Sequence, residues 1–460
     1  MNMNMNKQKI ADLAQKVSKT FKLPSLGIGV YHKGESFSHV YGEAEQDSLY
    51  PLASISKTFF ATAVCQLADS GQISLDEPLK KYWPDFKLVD QYAQDHLTWR
   101  DALSHQSGLP AHDLMRFTNM NKHDLTLKEK AEHIGHLEPN HELRYKMQYS
   151  NLIYAVATYA FEQAIGQDYG KYERSHLLEP LNLNHTYINH HEAPWEKIVK
   201  PYIGDNNITK EVSFIAPGKV GGASSMLSTI SDLLSWAKYQ LKLQKESKNN
   251  AMAEHFLPQS IMSPSREYGG ANFGAYGLGM MMEDYRGHKY FYHSGSYIGY
   301  CSFMGFVPDL DLAFVSTTNM DSTDAIFALA YQTIDNALGI NETDWTAKVK
   351  KAVDQKITKR EQKISSLMGD APQKVKANKD QLGDYHNPGY GLITLSENDG
   401  NLMVTIGKKE YPVIINEDGK MFVEVRLYQH QLLPIAFQQD QILLLTEPAL
   451  NKPTEFNKVK

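Results

Sequence analysis

The sequence predicts an α/β domain, in which helices and a helical subdomain flank an antiparallel sheet, followed by a small all-β domain. Strand-like runs lie at both ends of a long helical middle, so distant segments would close one sheet with helices on its faces, in two layers or a sandwich. A charged stretch with few aromatic residues follows, and the pattern then changes to short strands separated by turns. These changes divide the chain into residues 7–340, a charged linker or solvated helix over 341–379 and an all-β domain over 380–455.

The first elements form a helix and a hairpin. Apolar residues recur on one helical face from Ile10 to Phe21. Two β-like runs, Leu26 to His32 and Ser36 to Tyr41, flank the turn signal Lys33-Gly34-Glu35. These two strands would begin the sheet.

The helical middle begins with a segment that is apolar nearly all round, Thr58 to Ala68, which predicts a buried helix. A capping-box pattern, Thr98 with Asp101, starts a short helix. The segment Leu103 to Pro110 is interpreted as a helix end plus a Gly-Leu-Pro turn, in preference to a direct catalytic role for His105. A second long apolar helix runs from Leu152 to about Ile165.

The remaining elements complete both domains. A helix from Thr229 to about Leu243, paired strands over Tyr276 to Tyr300, a strand from Leu312 to Thr317 and a helix from Thr323 to Gly339 finish the first. Short strands with Asn-Pro-Gly and Asp-Gly turns, over Leu382 to Leu445, predict a sandwich or barrel.

Composition and charge exclude several functions. Of the 460 residues, 42% are hydrophobic and 11% aromatic, which is typical of a globular protein with a sizeable core. The net charge of −6 gives no basis for binding nucleic acid or an anionic membrane. No stretch approaches the roughly 18 apolar residues of a transmembrane helix. No secretory signal is evident, so a cytoplasmic location is expected unless a signal was removed.

The cysteines and histidines point to neither disulfides nor metal. Cys65 and Cys301 are the only cysteines, and Cys65 lies in an apolar helix pattern that predicts a buried thiol. No Cys/His cluster has zinc spacing, and His190-His191 is interpreted as a surface pair. We therefore predict no metal and no cofactor, and the sequence leaves the oligomeric state open.

A serine and a lysine three residues apart, Ser54 and Lys57, lie where the buried helix begins. Such residues share one face of a helix, and the helix N-terminus favours developing negative charge. A serine hydroxyl, a nearby amine and backbone N–H donors are the components of a serine acyl-transfer site. The same spacing occurs at Ser235 and Lys238 inside an amphipathic helix, where nothing else suggests chemistry.

Three short patterns follow one another in order. Ser54-x-x-Lys57 begins a buried helix, Tyr149-Ser150-Asn151 precedes another, and His293-Ser294-Gly295 lies in a strand that continues to Ser296. In this order, with these flanks, the chain resembles the penicillin-recognising serine hydrolases: class C β-lactamases, D-alanyl-D-alanine carboxypeptidases, and CubicO-type esterases and D-peptidases. Their signature is S-x-x-K, then Y-x-N, then K/H/W-x-G.

The flanking segments extend the resemblance from about Ile10 to Leu338. Leu103 to Pro110 is similar to the family's L-x-H-x-S-G-L-P segment, and Glu179 to Leu183 resembles E-P-L-G-M with Asn for Gly. Ala223 to Leu233 resembles A-G-G-x-x-S-T-x-x-D-L, with serines in place of two glycines. The resemblance implies a β-lactamase/transpeptidase-like fold, and the C-terminal domain is similar to the lipocalin-like tail of some CubicO members.

Chemistry and resemblance together suggest roles for the site residues. Ser54 would be the nucleophile, with Lys57 or an ionised Tyr149 as its base; the sequence leaves the choice open. Tyr149 would also pass the proton to the leaving group. Asn151 would hold the substrate carbonyl. The backbone N–H groups of Ser54 and Ser296 would form the oxyanion hole, beside Gly295, and loss of one such donor typically costs on the order of 10²–10³ in rate.

His293 is the departure that bears on the substrate. Class C β-lactamases have a lysine at the matching position, which suits a substrate carboxylate, whereas a histidine titrates near neutrality. We therefore expect an esterase, or a peptidase acting on amides that include D-residues. The alternatives are a β-lactamase or D-alanyl-D-alanine carboxypeptidase, and a non-catalytic penicillin-binding-like protein. Each would bind a small molecule or a peptide.

Overall fold

The computed structural model describes residues 6–116, 125–205, 208–215, 220–263, 268, 271–321, 324–426 and 430–459. The helices of these ranges are α1 Lys7–Phe21, α2 Ser56–Asp69, α3 Gln91–His96, α4 Trp99–Leu103, α5 Leu127–Ile134, α6 Asn151–Ile165, α7 Tyr169–Glu173, α8 Ile230–Glu246, α9 Ala251–Glu254, α10 Ala325–Leu338 and α11 Trp345–Met368.

The strands of the first domain alternate with these helices. They are β1 Ser25–His32, β2 Glu35–Gly42, β3 Tyr50–Pro51, β4 Thr186–Tyr187, β5 Tyr202–Asp205, β6 Ile208–Glu211, β7 Leu227–Ser228, β8 Ser260–Met262, β9 Gly274–Tyr276, β10 Met281–Tyr285, β11 His288–Tyr297, β12 Tyr300–Val307 and β13 Leu312–Thr318.

An antiparallel sheet of eight strands forms the centre of this domain, in the order β2-β1-β13-β12-β11-β10-β9-β8. Strand β1 pairs with β13, so that Leu26 lies opposite Thr318. The two ends of the domain therefore meet in mid-sheet, which confirms the prediction of one sheet closed by distant segments. Lys33 and Gly34, both with positive φ, form the predicted hairpin turn.

Helices cover both faces of the sheet. Leu26, Ile28 and Val30 of β1 pack with α1, α10 and α11 on one face. The alternate residues Gly27 and Gly29 face α8, and a Cβ on Gly27 would approach Thr317 Oγ1 within 2.6 Å. Glycine is required there because the Thr317 side chain of the neighbouring strand β13 occupies the space that a Cβ would need, while Ile230 of α8 packs above it. Of the two predicted arrangements, two layers or a sandwich, the sandwich is therefore the one that forms.

Helix α2 lies in the centre of the helical subdomain. Phe59 stacks on Trp236 of α8 with ring centroids 3.7 Å apart, and Phe60 packs against Phe161 of α6 at 5.5 Å. Its core residues, including Cys65, are buried. The apolar pattern that predicted a buried helix is confirmed, and aromatic side chains of α8 and α6 pack against the first turn of this helix.

The charged stretch after residue 340 forms α11. Trp345, Val349 and Val353 are buried against α1 and α10, and Trp345 Nε1 donates to Asp335 Oδ2 at 2.8 Å. Lysines and acids occupy the exposed face. The first half of the segment therefore packs on the first domain, and the division at residues 341–379 and 380–455 stays a prediction.

The C-terminal strands close into a barrel. They are β14 Gln373–Lys374, β15 Gly383–Asn387, β16 Gly391–Asn398, β17 Asn401–Ile406, β18 Lys409–Ile415, β19 Met421–Arg426, β20 His430–Gln438, β21 Gln441–Leu444 and β22 Thr454–Lys458.

Strands β15 to β22 pair in sequence order, and β22 pairs back with β15. This is an eight-stranded up-and-down barrel, one of the two small all-β architectures that the turn pattern predicted. Buried side chains fill its interior; they include Ile393, Val404, Val413, Val423, Ile442 and Phe456.

The barrel contacts the helical subdomain through the segment that precedes the Tyr149 loop. His112 is 1% exposed; its backbone N–H donates to Glu447 Oε2 at 2.7 Å, and its Nδ1 lies 2.6 Å from the Tyr390 hydroxyl. His133 Nδ1 lies 2.6 Å from the carbonyl oxygen of Pro388. Two histidines thus attach the barrel to the first domain.

Candidate active site

The Ser54 segment is a 3₁₀ turn, Ala53–Ile55, that leads directly into α2. Leu52 anchors this turn on two sides, because its N–H donates to Met226 O at 2.8 Å and its carbonyl oxygen accepts from Ser302 Oγ at 2.6 Å. Ala53 has a φ of 47°, which is unusual for a residue with a side chain. Ser54 alone is partly exposed in this buried stretch, as a nucleophile requires.

Lys57 is fully buried and lies among three acceptors. Its Nζ lies 3.1 Å from Ser54 Oγ, 2.7 Å from Asn151 Oδ1 and 2.8 Å from Ala223 O. An ammonium can donate to all three, whereas a neutral amine would donate to two and accept the Ser54 proton. The geometry suits both states, so the amine can hold and then release one proton beside the serine.

Tyr149 and Asn151 lie on either side of Ser150, the N-cap of α6, and Asn151 is the first residue of that helix. The Lys57 amine lies 4.9 Å from the centroid of the Tyr149 ring. Asn151 offers its carbonyl oxygen to Lys57, so its amide nitrogen is the group that can donate to a substrate. The first two sequence patterns therefore meet at Lys57.

His293 lies behind Lys57, Tyr149 and Asn151 and is fully buried, at 0% exposure. Its Nδ1–H donates to Ser294 O at 2.7 Å, and its Nε2 accepts from the Tyr276 hydroxyl at 2.9 Å. Burial, together with the charge of Lys57, lowers the pKa of His293 to about 3. The imidazole is neutral at pH 7 and both nitrogens are engaged within the protein, so its predicted contact with substrate stays a prediction.

Gly295 permits the close approach of β11 to the Ser54 turn. A Cβ at this position would overlap the carbonyl oxygen of Leu52 and the Oγ of Ser302. Ser296, the next residue, is exposed at the end of β11, opposite Cys301. The strand therefore lies beside the serine turn, as an oxyanion hole from Ser54 and Ser296 requires, and that role stays a prediction.

Sequence reasoning missed two contributors. Tyr276 supplies the hydroxyl bound to His293, but one tyrosine in a strand carries no signal of this. Ala223 supplies a backbone carbonyl, which every residue type has. The nearby glycines were a usable clue, since a Cβ on Gly221 or Gly222 would clash with Thr158 or Phe60 and the backbone must pass close to both helices.

The second Ser-x-x-Lys match, Ser235 with Lys238, lies in a different environment. Ser235 donates to the carbonyl oxygen of Ser231 within α8 and is exposed, and Lys238 lies over the ring of Tyr31. The interpretation that this match carries no chemistry agrees with its surroundings. It offers a matched control for experiments on Ser54.

Residues 10–338 match the family model described as Beta-lactamase. The chain belongs to the β-lactamase family. The chain is also 23% identical, over 84% of its length and 77% of the relative, to the unguisins hydrolase of Aspergillus campestris. With this family membership and its hydrolase relatives, the chain is a serine hydrolase.

Solved structures share the fold of this family member. The octameric penicillin-binding protein homologue from Pyrococcus abyssi has a TM-score of 0.64 at 18% identity and covers 98% of this chain and 100% of its own. D-amino acid amidase from Ochrobactrum anthropi SV3 has a TM-score of 0.59 at 22% identity, over 71% of this chain and 98% of its own. The first comparison extends through the C-terminal barrel, whereas the amidase covers a smaller share of the chain.

Two further observations concern partners and metals. Within the described ranges, every helix falls short of the length and apolar character that a membrane crossing requires. The same ranges contain no cluster of three or more histidine, cysteine or acidic side chains that could hold a metal ion.

Proposed function

We propose that this serine hydrolase works through an acyl-enzyme on Ser54 and cleaves esters or amides, including amides that contain D-residues. The contact of Lys57 Nζ with Ser54 Oγ, Asn151 Oδ1 and Ala223 O carries the proposal. It joins a partly exposed serine to a buried amine and to an amide that can hold a substrate carbonyl. The chemistry needs no metal or cofactor.

The proposed reaction has two halves. Ser54 Oγ attacks the substrate carbonyl carbon while its proton passes to Lys57 or Tyr149, and the carbonyl oxygen becomes an oxyanion near the N–H groups of Ser54 and Ser296. The C–N or C–O bond then breaks, and the leaving group takes the proton through Tyr149. Water then attacks the acyl carbon of the ester on Ser54, and the same proton transfers occur in reverse order. The acid is released and the Ser54 hydroxyl is restored.

The choice between the two bases can be made by experiment. Tyr149→Phe removes the phenolic hydroxyl but keeps the aromatic ring beside Lys57. If Lys57 is the base, this variant should still acylate while its turnover of amides, whose leaving groups need a proton, falls further than its turnover of p-nitrophenyl esters. If Tyr149 is the base, acylation should be lost with both substrates.

The neutral state of His293 supports the preference for substrates without a terminal carboxylate near this strand. A pKa of about 3 leaves no cation on this side chain at pH 7. The name of one structural neighbour, D-amino acid amidase, fits such a choice, because an amino acid amide has no free carboxylate. A panel of L- and D-amino-acid amides and esters would identify the substrate class.

The nucleophile is tested by Ser54→Ala with Ser235→Ala as the matched control. Ser54→Ala should abolish both the turnover of short-chain p-nitrophenyl esters and labelling by a fluorophosphonate probe. Ser235→Ala should keep both, because that serine lies on an exposed helix face. Unchanged activity in Ser54→Ala would refute the proposal.

The alternatives make different predictions. A β-lactamase or D-alanyl-D-alanine carboxypeptidase would hydrolyse nitrocefin or retain penicillin covalently, and we expect neither to be efficient here. A non-catalytic protein would have Lys57 turned away from Ser54, whereas the two side chains lie 3.1 Å apart. That contact favours the enzyme.

A further inference from the structure

His105 lies beside Tyr149 of the proposed catalytic site, although its sequence context favoured a simple helix end. Helix α4 does end just before it, at Leu103 with Ser104 as cap. His105 itself is fully buried and has a φ of 60°, in the left-handed region. Non-glycine residues held in this region are often found at functional sites, where the surrounding structure must stabilise them.

The two residues on either side of Tyr149 both bind His105. Gln148 N–H donates to the carbonyl oxygen of His105 at 2.8 Å, and Ser150 N–H donates to His105 Nδ1 at 3.2 Å. The imidazole packs on the Tyr149 ring with centroids 4.3 Å apart. One residue therefore determines the path of the backbone before and after the tyrosine and also supports its ring.

The state of the imidazole follows from these bonds. Nδ1 accepts a hydrogen bond, so the proton of the neutral ring is on Nε2. Among the described residues, Nε2 has no hydrogen-bond partner. Burial, together with the positive charge of Lys57, holds the pKa of His105 well below its usual range. Within the described ranges, the imidazole thus makes no hydrogen bond through which it could pass a proton to the reacting atoms.

We propose that His105 is a positioning residue, which sets the reactive geometry of Tyr149 and Asn151 by accepting the Ser150 N–H at Nδ1. Asn151 follows Ser150 directly and supplies the amide oxygen bound to Lys57. A displacement of Ser150 would therefore move both the phenol and the amide. The inference rests on the proposed function, because it assigns a task within that reaction.

Two substitutions separate the hydrogen bond from the ring. His105→Asn places Oδ1 where Nδ1 lies, and asparagine tolerates a positive φ. His105→Phe keeps an aromatic ring on Tyr149 but leaves the buried Ser150 N–H without its acceptor. His112→Phe provides a control, since His112 is also buried and bonded on the same segment but contacts the barrel.

The measurement is kcat per active site, with sites counted by fluorophosphonate labelling, together with KM and the unfolding midpoint. His105→Phe should lower kcat about 10- to 100-fold with little change in KM, because a loop displaced by about 1 Å loses reactive alignment. His105→Asn should remain within about threefold of the unmodified enzyme, since it keeps the acceptor. His112→Phe should lose stability and keep its kcat.

A purely structural role would lower the unfolding midpoint and the number of labelled sites but not kcat per site. That result with His105→Phe, or an equal loss of kcat in His105→Asn, would overturn the inference. If His105→Phe does not fold, His105→Leu replaces it, because a leucine side chain likewise offers the Ser150 N–H no acceptor. Ser54→Ala is assayed in parallel: without Ser54-dependent turnover the proposed function fails, whereas Ser54-dependent turnover that is insensitive to His105 refutes only this inference.

Discussion

At the residue scale, the site combines a buried amine with a buried neutral imidazole. Lys57 is stabilised by three oxygen acceptors, whereas His293 accepts from Tyr276 and carries no charge at pH 7. A second cation at the position of His293 would be repelled by Lys57, whose charge already acts on this side chain. The identity of residue 293 therefore affects the electrostatics of the nucleophile as well as the substrate.

His293→Lys tests this balance. We expect ester turnover to fall by at least about tenfold and nitrocefin turnover to remain absent, because a buried second ammonium is costly beside Lys57. His293→Gln is the control, since its amide oxygen can still accept from Tyr276, and it should retain more activity. Gain of nitrocefin turnover in the lysine variant would contradict the expectation.

Gly295→Ala tests the close approach of β11. The added methyl group would overlap the carbonyl oxygen of Leu52, so the Ser54 turn must shift, and we expect kcat to fall about 10²-fold. Gly204→Ala is the control, because its nearest neighbour would be Met320 Sδ at 3.5 Å, an ordinary contact. Ester kinetics and thermal unfolding of both variants would measure the difference. A Gly295→Ala enzyme with unchanged kcat would show that the turn tolerates displacement.

Much of the candidate site could be predicted because its side chains occur in ordered patterns at helix and strand ends. Ser54, Lys57 and Asn151 meet as those patterns imply. Tyr276 could not be predicted, since its contact with His293 reaches from β9 across β10 to β11 and depends on the register of both strand pairs. The task of His105 was hidden for a related reason: its hydrogen bonds go to a loop that is distant in the sequence.

At the element scale, α11 shows how composition can conceal packing. Its exposed face supplies most of the charges, so the segment could be interpreted as a linker, yet a few large apolar residues bury its first half. The first hairpin of the sheet was easier to predict, because its two strands flank the turn at Lys33 and Gly34, whereas the short edge strand β8 was not predicted. The closure of the barrel was not predictable, because it depends on pairing between β15 and β22.

Trp345→Ala tests whether α11 belongs to the folded core. Trp345 is 2% exposed and packs on Tyr331 and Tyr285, so its removal should cost about 3–5 kcal/mol of unfolding free energy. Leu367→Ala, on the same helix at 38% exposure, should cost much less. Urea denaturation of both variants is the measurement. Equal stabilities would mean that the helix acts only as a tether.

At the scale of the whole molecule, the barrel and the first domain are joined next to the loop that carries Tyr149. Because side chains fill the barrel, its outer contacts are the features through which it can affect the enzyme. Tyr390→Phe removes the hydroxyl bound to His112 and should increase hydrogen exchange around residues 108–116. Tyr385→Phe, which loses a hydrogen bond to Gln381 within the barrel, should leave that exchange unchanged. Equal exchange in both variants would show that the contact is dispensable.

The stability of the whole molecule should also depend on Glu173. This carboxyl is fully buried, its oxygens have no hydrogen-bond partner in the described ranges, and burial raises its pKa to about 8. The folded chain therefore keeps a proton that the unfolded chain releases above about pH 4.5. The free energy of unfolding that depends on this proton is complete below that pH. It declines as the pH rises toward 8, by up to about 1.4 kcal/mol per pH unit.

Glu173→Gln should remove this decline. The stability of the variant relative to the unmodified protein should rise between pH 5 and pH 8, whatever constant offset the amide introduces. Glu192→Gln, at an exposed site, should show no such trend. Urea denaturation across this range is the measurement, and parallel curves for the Glu173→Gln variant and the unmodified protein would contradict the assignment.

The pairing of β1 with β13 has a consequence for how the enzyme is formed. The strands come from opposite ends of the first domain, and the candidate site draws on segments from Ser54 to Ser296 that lie between them. Contacts between such distant segments form slowly, because long loops must close before any pairing is gained. On refolding, helical circular dichroism should therefore recover first, and fluorophosphonate reactivity should appear only when nearly the whole domain has been assembled. A nascent chain would accordingly remain inert toward its own substrates until β13, the last strand of the eight-stranded sheet, has been synthesised.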